Sequence, residues 1–162
     1  MKRLLLLRHA KSSWGEGNLA DYDRPLNDRG RHDAPRMGWL LRQEDLVPDM
    51  IITSSAKRAA STAELVAEAA SFEGELRYTN NLYLAEPEAY IALARRVDEA
   101  VNTLMLVGHN PGIQELVALL TAKDERMATA NLACVAMPIK VWSELDADEQ
   151  YELQGVWRPR EL

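Results

Sequence analysis

Short apolar runs alternate with longer segments of mixed polarity along this chain. Residues 4–7 are four consecutive leucines, and residues 50–53 and 103–107 are similar runs with little polar interruption. An apolar run of four to six residues between turn-forming residues is typical of a strand buried on both faces. These three segments are therefore predicted to be central strands of a parallel sheet, and residues 76–79 a further short strand.

Helix signals fill the segments between these strands. Asn27 is a candidate N-cap for the first helix. Pro35 lies within that helix and would either kink it or delay its start. Ser54 or Ser55 is expected to cap a second, alanine-rich helix. The predicted helices span roughly residues 27–42, 56–70, 87–97 and 111–120.

The order of elements predicts the fold class. Strands and helices alternate, and two late strands, over 133–137 and 151–153, follow the last helix, the second at an edge or antiparallel. This pattern predicts an α/β protein, a three-layer α/β/α sandwich around a mostly parallel, doubly wound sheet with an antiparallel edge strand. We find no repeat or linker, so residues 1–162 are expected to form a single domain.

Composition narrows the functional class. The formal net charge is −6, whereas domains that work mainly on nucleic acid are usually strongly basic. One cysteine, Cys134, leaves no possibility of an internal disulfide or a cysteine-based zinc site. No apolar stretch approaches the length of a membrane span or a signal sequence. We therefore expect a cytoplasmic protein that binds neither nucleic acid nor membrane.

Candidate catalytic and anion-binding side chains follow three of the predicted strands. Arg8 and His9 follow the first strand, Arg58 lies in the first turn of the helix after the second, and His109 follows the strand at 103–107. In a doubly wound sheet these strand ends share one edge, where ligands bind. Arginines and helix N-termini suit a phosphate, and cationic neighbours keep an imidazole neutral and able to attack phosphorus.

Each of these residues also has a simpler interpretation. Either histidine alone would more often be structural, and it is their joint position at three strand ends that favours a phosphate site. His32 on a predicted helix and the exposed Lys57 are interpreted as solvated surface residues, and Cys134 as a core residue. A flavodoxin-like nucleotide binder would need a glycine-rich first turn, which residues 8–11 do not provide.

The motifs resemble those of the histidine phosphatase superfamily, with its phosphoglycerate mutase-like fold. Arg8-His9 resembles the first motif, Ser54-Ser55 with Arg58 and Thr62-Ala63 the second, and Gly108-His109-Asn110 the third. The fuller string over 8–14, with 23–27 and Arg29-Gly30 downstream, is similar to the SixA-type phosphohistidine phosphatase branch. The resemblance covers nearly the whole chain.

The resemblance implies a metal-independent phosphatase that needs no cofactor and works through a phosphohistidine intermediate on His9. Arg8, Arg58 and His109 would bind the phosphoryl group, and the pocket would accept phosphate or sulfate. Substrate contacts are implied for Ser12 and Arg24. A single histidine phosphatase domain without a lid insertion is expected, because residues 80–102 have room for one helix and little else.

Two departures from the family pattern bear on the substrate. Ala10 replaces the usual glycine after Arg-His, a change we expect the fold to tolerate. Leu84 occupies the position where many members carry a general acid, and Glu86 and Glu88 are the nearby candidates for that role. A site without an acid favours a labile P–N bond, so we expect phosphohistidine in a protein as the substrate. Two alternatives remain: a small-molecule phosphomonoesterase using Glu86 or Glu88 as acid, or a non-catalytic phosphate- or phosphoprotein-binding module.

Overall fold

The computed structural model describes residues 1–14 and 17–162 and places one six-stranded sheet between two layers of helices. Gly15 and Glu16, in the loop after the first strand, lie outside the described residues. The strands are β1 (Lys2–Arg8), β2 (Met50–Ser54), β3 (Glu75–Thr79), β4 (Thr103–Gly108), β5 (Leu132–Met137) and β6 (Glu152–Trp157). The helices are α1 (Asp28–Gln43), α2 (Lys57–Ala69), α3 (Pro87–Ala94) and α4 (Gly112–Thr121).

The strand order is β3-β2-β4-β1-β5-β6, with β1 parallel to β4 and antiparallel to β5. The edge strand β6 pairs antiparallel with β5, so β5 is the strand that runs against the other five. The fold class predicted from the sequence, including the antiparallel pairing at the edge, is confirmed.

The four leucines of β1 divide between the two layers of the core. Leu4 and Leu6 pack in the cluster that contains α3 and α4, whereas Leu5 and Leu7 pack in the cluster that contains α1 and α2. Alternate side chains of a strand point to opposite faces, so a strand covered on both faces needs an apolar residue at every position. The uninterrupted leucine run meets this requirement.

The start of α1 agrees with the sequence prediction, whereas the start of α2 differs from it. The Asn27 side chain accepts the Gly30 N–H at 2.9 Å, and α1 continues through Pro35. The predicted serine cap of α2 was wrong, because Ala56 is the N-cap residue and provides no side-chain cap. Ser54 is instead fully buried, and its hydroxyl lies 2.8 Å from His109 Nε2. Ser54, the last residue of β2, therefore contributes to the site at the strand ends.

The start of α1 is fixed against the segment that follows β1. The Asn27 N–H donates to the Lys11 carbonyl at 3.0 Å, and Ser12 forms an isolated antiparallel bridge with Leu26. A Cβ added to Gly30 would lie 2.1 Å from the Lys11 carbonyl oxygen. This close approach requires glycine at position 30 and holds residues 9–12 in place.

Within the described ranges, no helix combines the length and the apolar character needed to cross a bilayer.

Candidate active site

His9 lies where β1 meets β4 at the carboxyl edge of the sheet. Its N–H donates to the Gly108 carbonyl at 3.0 Å, and the residue is 6% exposed. Ring Nδ1 is 2.7 Å from the Ala10 carbonyl oxygen. A carbonyl oxygen can only accept, so Nδ1 carries the proton in the neutral ring and Nε2 keeps its lone pair.

His9 is held neutral by its surroundings. Burial is the main cause that lowers its pKa to about 3, and His109, Arg8 and Arg58 lower it further, against the opposing effect of the Ala10 carbonyl. Burial and Arg58 likewise lower the pKa of His109 to about 4. Both imidazoles are therefore neutral near pH 7, with their ring centroids 5.2 Å apart.

Three buried nitrogens near His9 have no hydrogen-bond partner within residues 1–14 and 17–162: Arg8 Nε, Arg58 Nε and His109 Nδ1. Buried polar atoms in folded proteins almost always have a partner. The arginine Nε atoms are obligate donors, and His109 Nδ1 is a donor if the Ser54 hydroxyl donates to Nε2. Unpaired donors converging beside a neutral imidazole are suited to an anion such as a phosphoryl group.

Asp21 is the carboxylate that faces these groups. Arg58 donates through Nη1 to the Asp21 carbonyl at 2.7 Å and through Nη2 to Oδ2 at 3.0 Å. Tyr83 donates to the same Oδ2 at 2.5 Å, and Arg24 Nε donates to Oδ1 at 3.1 Å. These hydrogen bonds, that of Tyr83 above all, lower the pKa of Asp21 to about 2, so it is a carboxylate near pH 7.

Arg24 lines the pocket from the segment between β1 and α1. Its Nη1 donates to the Ser12 hydroxyl at 2.9 Å and to the Ser13 carbonyl at 3.1 Å. Its guanidinium carbon lies 3.7 Å from the centroid of a Trp14 ring. The structure thus brings Ser12 and Arg24 together at one wall of the pocket.

These side chains border a pocket of about 250 Å³. Leu84 also lines it, has a φ of 49° and is 54% exposed as a residue. Glu86 and Glu88 are exposed at the start of α3 and are not among the lining residues. The lining residues are Arg8, His9, Lys11, Ser12, Trp14, Asp21, Arg24, Arg58, Leu84, His109, Asn110 and Thr129.

The strand ends that the sequence predicts to meet do so in the structure, but the site contacts of Asp21, Tyr83 and Ser54 are not predicted by the sequence. For Asp21, the available signal is its position three residues before Arg24, a spacing at which an ion pair forms across a turn. Tyr83 has no comparable signal beyond its place next to Leu84. Ser54 belongs to the second motif, but the sequence offered it only as one of two candidate caps, Ser54 or Ser55, because serine is common at helix starts.

The comparisons with known proteins agree with this geometry. Residues 4–82 match the family described as the histidine phosphatase superfamily, branch 1. An uncharacterized protein of Mycobacterium leprae is 34% identical over 159 residues, covering 96% of this chain and 92% of that protein. An uncharacterized chloroplastic protein of Arabidopsis thaliana is 29% identical, covering 98% and 78%. The chain belongs to the histidine phosphatase superfamily.

Solved structures show which members of the superfamily have a similar fold. The candidate phosphohistidine phosphatase SixA from Agrobacterium tumefaciens superposes with a TM-score of 0.84 at 27% identity, covering 98% of each chain. The corresponding SixA protein of Nakamurella multipartitia gives a TM-score of 0.86 at 25% identity, covering 98% of this chain and 96% of that one. The fold is that of SixA-type proteins, and these relationships support phosphatase activity.

Proposed function

We propose that this protein is a metal-independent protein phosphohistidine phosphatase that works through a phosphorylated His9. The observation that carries the proposal is the neutral His9, with its lone pair on Nε2, beside nitrogens of Arg8, Arg58 and His109 that have no partner among the described residues. A protein histidine phosphatase SixA of the same fold, at 19% identity, has been solved with tungstate, a mimic of phosphate.

The reaction has two displacements at phosphorus. In the first, His9 Nε2 attacks, a P–N bond to His9 forms, and the P–N bond to the substrate imidazole breaks with its electron pair leaving on nitrogen. In the second, water attacks, the bond to His9 breaks, and inorganic phosphate leaves while His9 regains its lone pair. The arginine and His109 donors stabilise the charge on the phosphoryl oxygens during both steps.

The leaving group decides between substrate classes. An alkyl phosphate requires a proton donor for its departing oxygen, but Glu86 and Glu88 do not line the pocket, and Asp21 is held as a carboxylate. The imidazole of phosphohistidine leaves with little help. The lack of a protonated carboxyl group among the lining residues therefore supports phosphohistidine over a small phosphomonoester.

Substrate comparison tests this proposal. Purified protein is assayed in EDTA against a protein phosphorylated on histidine, phosphoserine peptides and sugar phosphates. We expect release of phosphate from the phosphohistidine protein to be the fastest and to be unaffected by EDTA. Faster turnover of the alkyl esters would favour the phosphomonoesterase alternative, and loss of activity in EDTA would contradict metal independence.

A further inference from the structure

A second cleft, which we call the arginine cleft, lies next to the active-site pocket. It has a volume of about 310 Å³, and Arg29, Arg126, Arg158 and Arg160 line it together with a single acidic side chain, that of Glu161. The chain as a whole carries a formal charge of −6. Four arginines around one cleft are therefore a local concentration of positive charge on an acidic protein.

The cleft and the pocket share a wall. Thr129 lines both, and its neighbour Ala130 donates its N–H to the carbonyls of Arg8 and His9 at 3.1 and 3.0 Å. The Arg8 guanidinium in turn donates to the Met127 carbonyl at 3.3 Å. Residues 127–130 therefore hold the phosphate-site residues through their backbone and also border the arginine cleft.

Two of the four arginines have partners, and two do not. Arg158 donates to the Arg126 carbonyl at 2.6 Å and pairs with Glu125 at 3.1 Å, while Arg29 pairs with Asp33 at 3.4 Å. Among the residues that the structure describes, the guanidinium groups of Arg126 and Arg160 have no hydrogen-bond or ion-pair partner. Both side chains belong to exposed residues. Arg126 is also close enough to Arg8 to lower the pKa of that guanidinium, after burial as the main cause.

We infer that the arginine cleft binds carboxylate side chains of an acidic segment next to the phosphohistidine of a protein substrate. This inference rests on the proposed function and adds a preference for sequence context. Guanidinium groups bind carboxylates through paired hydrogen bonds. Three extended residues span roughly 10 Å, and the two pockets share Thr129 as a lining residue.

The test uses two peptides with the same central phosphohistidine, flanked either by glutamates or by glutamines. The wild-type protein is compared with the double variant Arg126→Gln/Arg160→Gln. The matched control is Arg96→Gln, which removes the same type of exposed charge after α3, towards the edge of the sheet where β4 begins. The readout is the ratio of kcat/KM for the glutamate peptide to kcat/KM for the glutamine peptide, at low and at high salt.

We expect the wild type and Arg96→Gln to prefer the glutamate peptide at low salt and the double variant to lose that preference through a higher KM. Exposed ion pairs correspond to roughly two- to fivefold in affinity for each arginine. High salt should reduce the wild-type preference. Equal rates on both peptides for the wild type, or an unchanged preference in the double variant, would overturn the inference.

Two other outcomes separate this inference from the proposed function. Failure to hydrolyse any phosphohistidine peptide would overturn the proposed function, and the inference with it. If the double variant lost turnover of sugar bisphosphates but kept its peptide preference, the cleft would bind the second phosphate of a small molecule. That result would overturn the acidic-segment inference.

Discussion

At the residue scale, the position of one proton gives His9 its chemical character. The bond from Nδ1 to the Ala10 carbonyl assigns the lone pair to Nε2, and burial with cationic neighbours keeps the ring neutral. Ala10, where the family usually has glycine, is fully buried and donates its N–H to the Thr62 hydroxyl at 2.9 Å. The fold accommodates the extra methyl group, as expected from the sequence.

Asp21 competes with an incoming phosphoryl group for the guanidinium of Arg58. Its carboxylate and carbonyl engage both terminal nitrogens of Arg58, which the resemblance assigns to the phosphoryl group. An incoming oxyanion therefore meets a negative charge in the pocket. It either binds through Arg58 Nε or displaces Asp21.

We expect Asp21→Asn to bind orthovanadate more tightly than the wild type, because a like charge is removed from the site. A change of about 1 kcal/mol, or fivefold in Kd, is of the order expected for a partly exposed charge. Isothermal titration calorimetry measures it, with Asp23→Asn as the control in the same turn. Weaker binding by Asp21→Asn would show that Asp21 acts mainly by orienting Arg58 and Arg24.

The sequence predicted the site as far as backbone position determines it. Arg8, His9 and His109 lie at the ends of apolar strands, and such ends meet in a parallel sheet. The contacts of Asp21 and Tyr83 depend on how a long loop folds over the pocket, and no periodic pattern encodes that path. The sequence does not distinguish two roles for Ser54. A serine shortly before a helix can cap that helix, or its hydroxyl can bond to a residue at the end of the neighbouring strand, here His109. Only the packed structure distinguishes the two.

At the scale of elements, the contact between the N-terminus of α1 and the segment after β1 sets the geometry of the site. Gly30 allows the two backbones to approach so closely that a Cβ would overlap the Lys11 carbonyl. Glycine at this position is therefore a packing requirement, whereas Gly17 in the preceding loop has open space around its Cβ position.

We expect Gly30→Ala to destabilise the protein by roughly 1–3 kcal/mol, the usual cost of overpacking, and to lower kcat because His9 and Ser12 move. Urea unfolding and turnover measured on the same preparation test both effects. Gly17→Ala is the control and should change neither quantity appreciably. Wild-type stability in Gly30→Ala would mean that the close approach to Lys11 is not maintained.

At the scale of the whole molecule, two neutral histidines buried in the fold link its stability to pH. In the unfolded chain a histidine has a pKa near 6.5, whereas His9 and His109 in the fold have pKa values of about 3 and about 4. Between these values the unfolded state binds more protons, so stability rises with pH. The stability that the two neutral histidines contribute is fully present above pH 6.5 and is lost as the pH falls through about 4 for His109 and about 3 for His9.

We therefore expect the free energy of unfolding to decrease between pH 7.5 and pH 5, by at most about 1.4 kcal/mol per pH unit for each histidine. The double variant His9→Gln/His109→Gln should show a shallower decrease in urea titrations. His32→Gln, on the exposed surface of α1, should retain the wild-type slope. An unchanged slope in the double variant would contradict the buried, neutral state of the two imidazoles.

The most direct test of a phosphorylated His9 is to find which residue carries phosphorus during turnover. The protein is incubated briefly with a ³²P-phosphohistidine protein and quenched in alkali, and the labelled residue is located by mass spectrometry. A phosphorylated His9 intermediate predicts a label on His9 that is labile in acid and stable in alkali, present in His32→Ala and absent in His9→Ala. Hydrolysis of the substrate by His9→Ala at the wild-type rate, or a label on another residue, would contradict it.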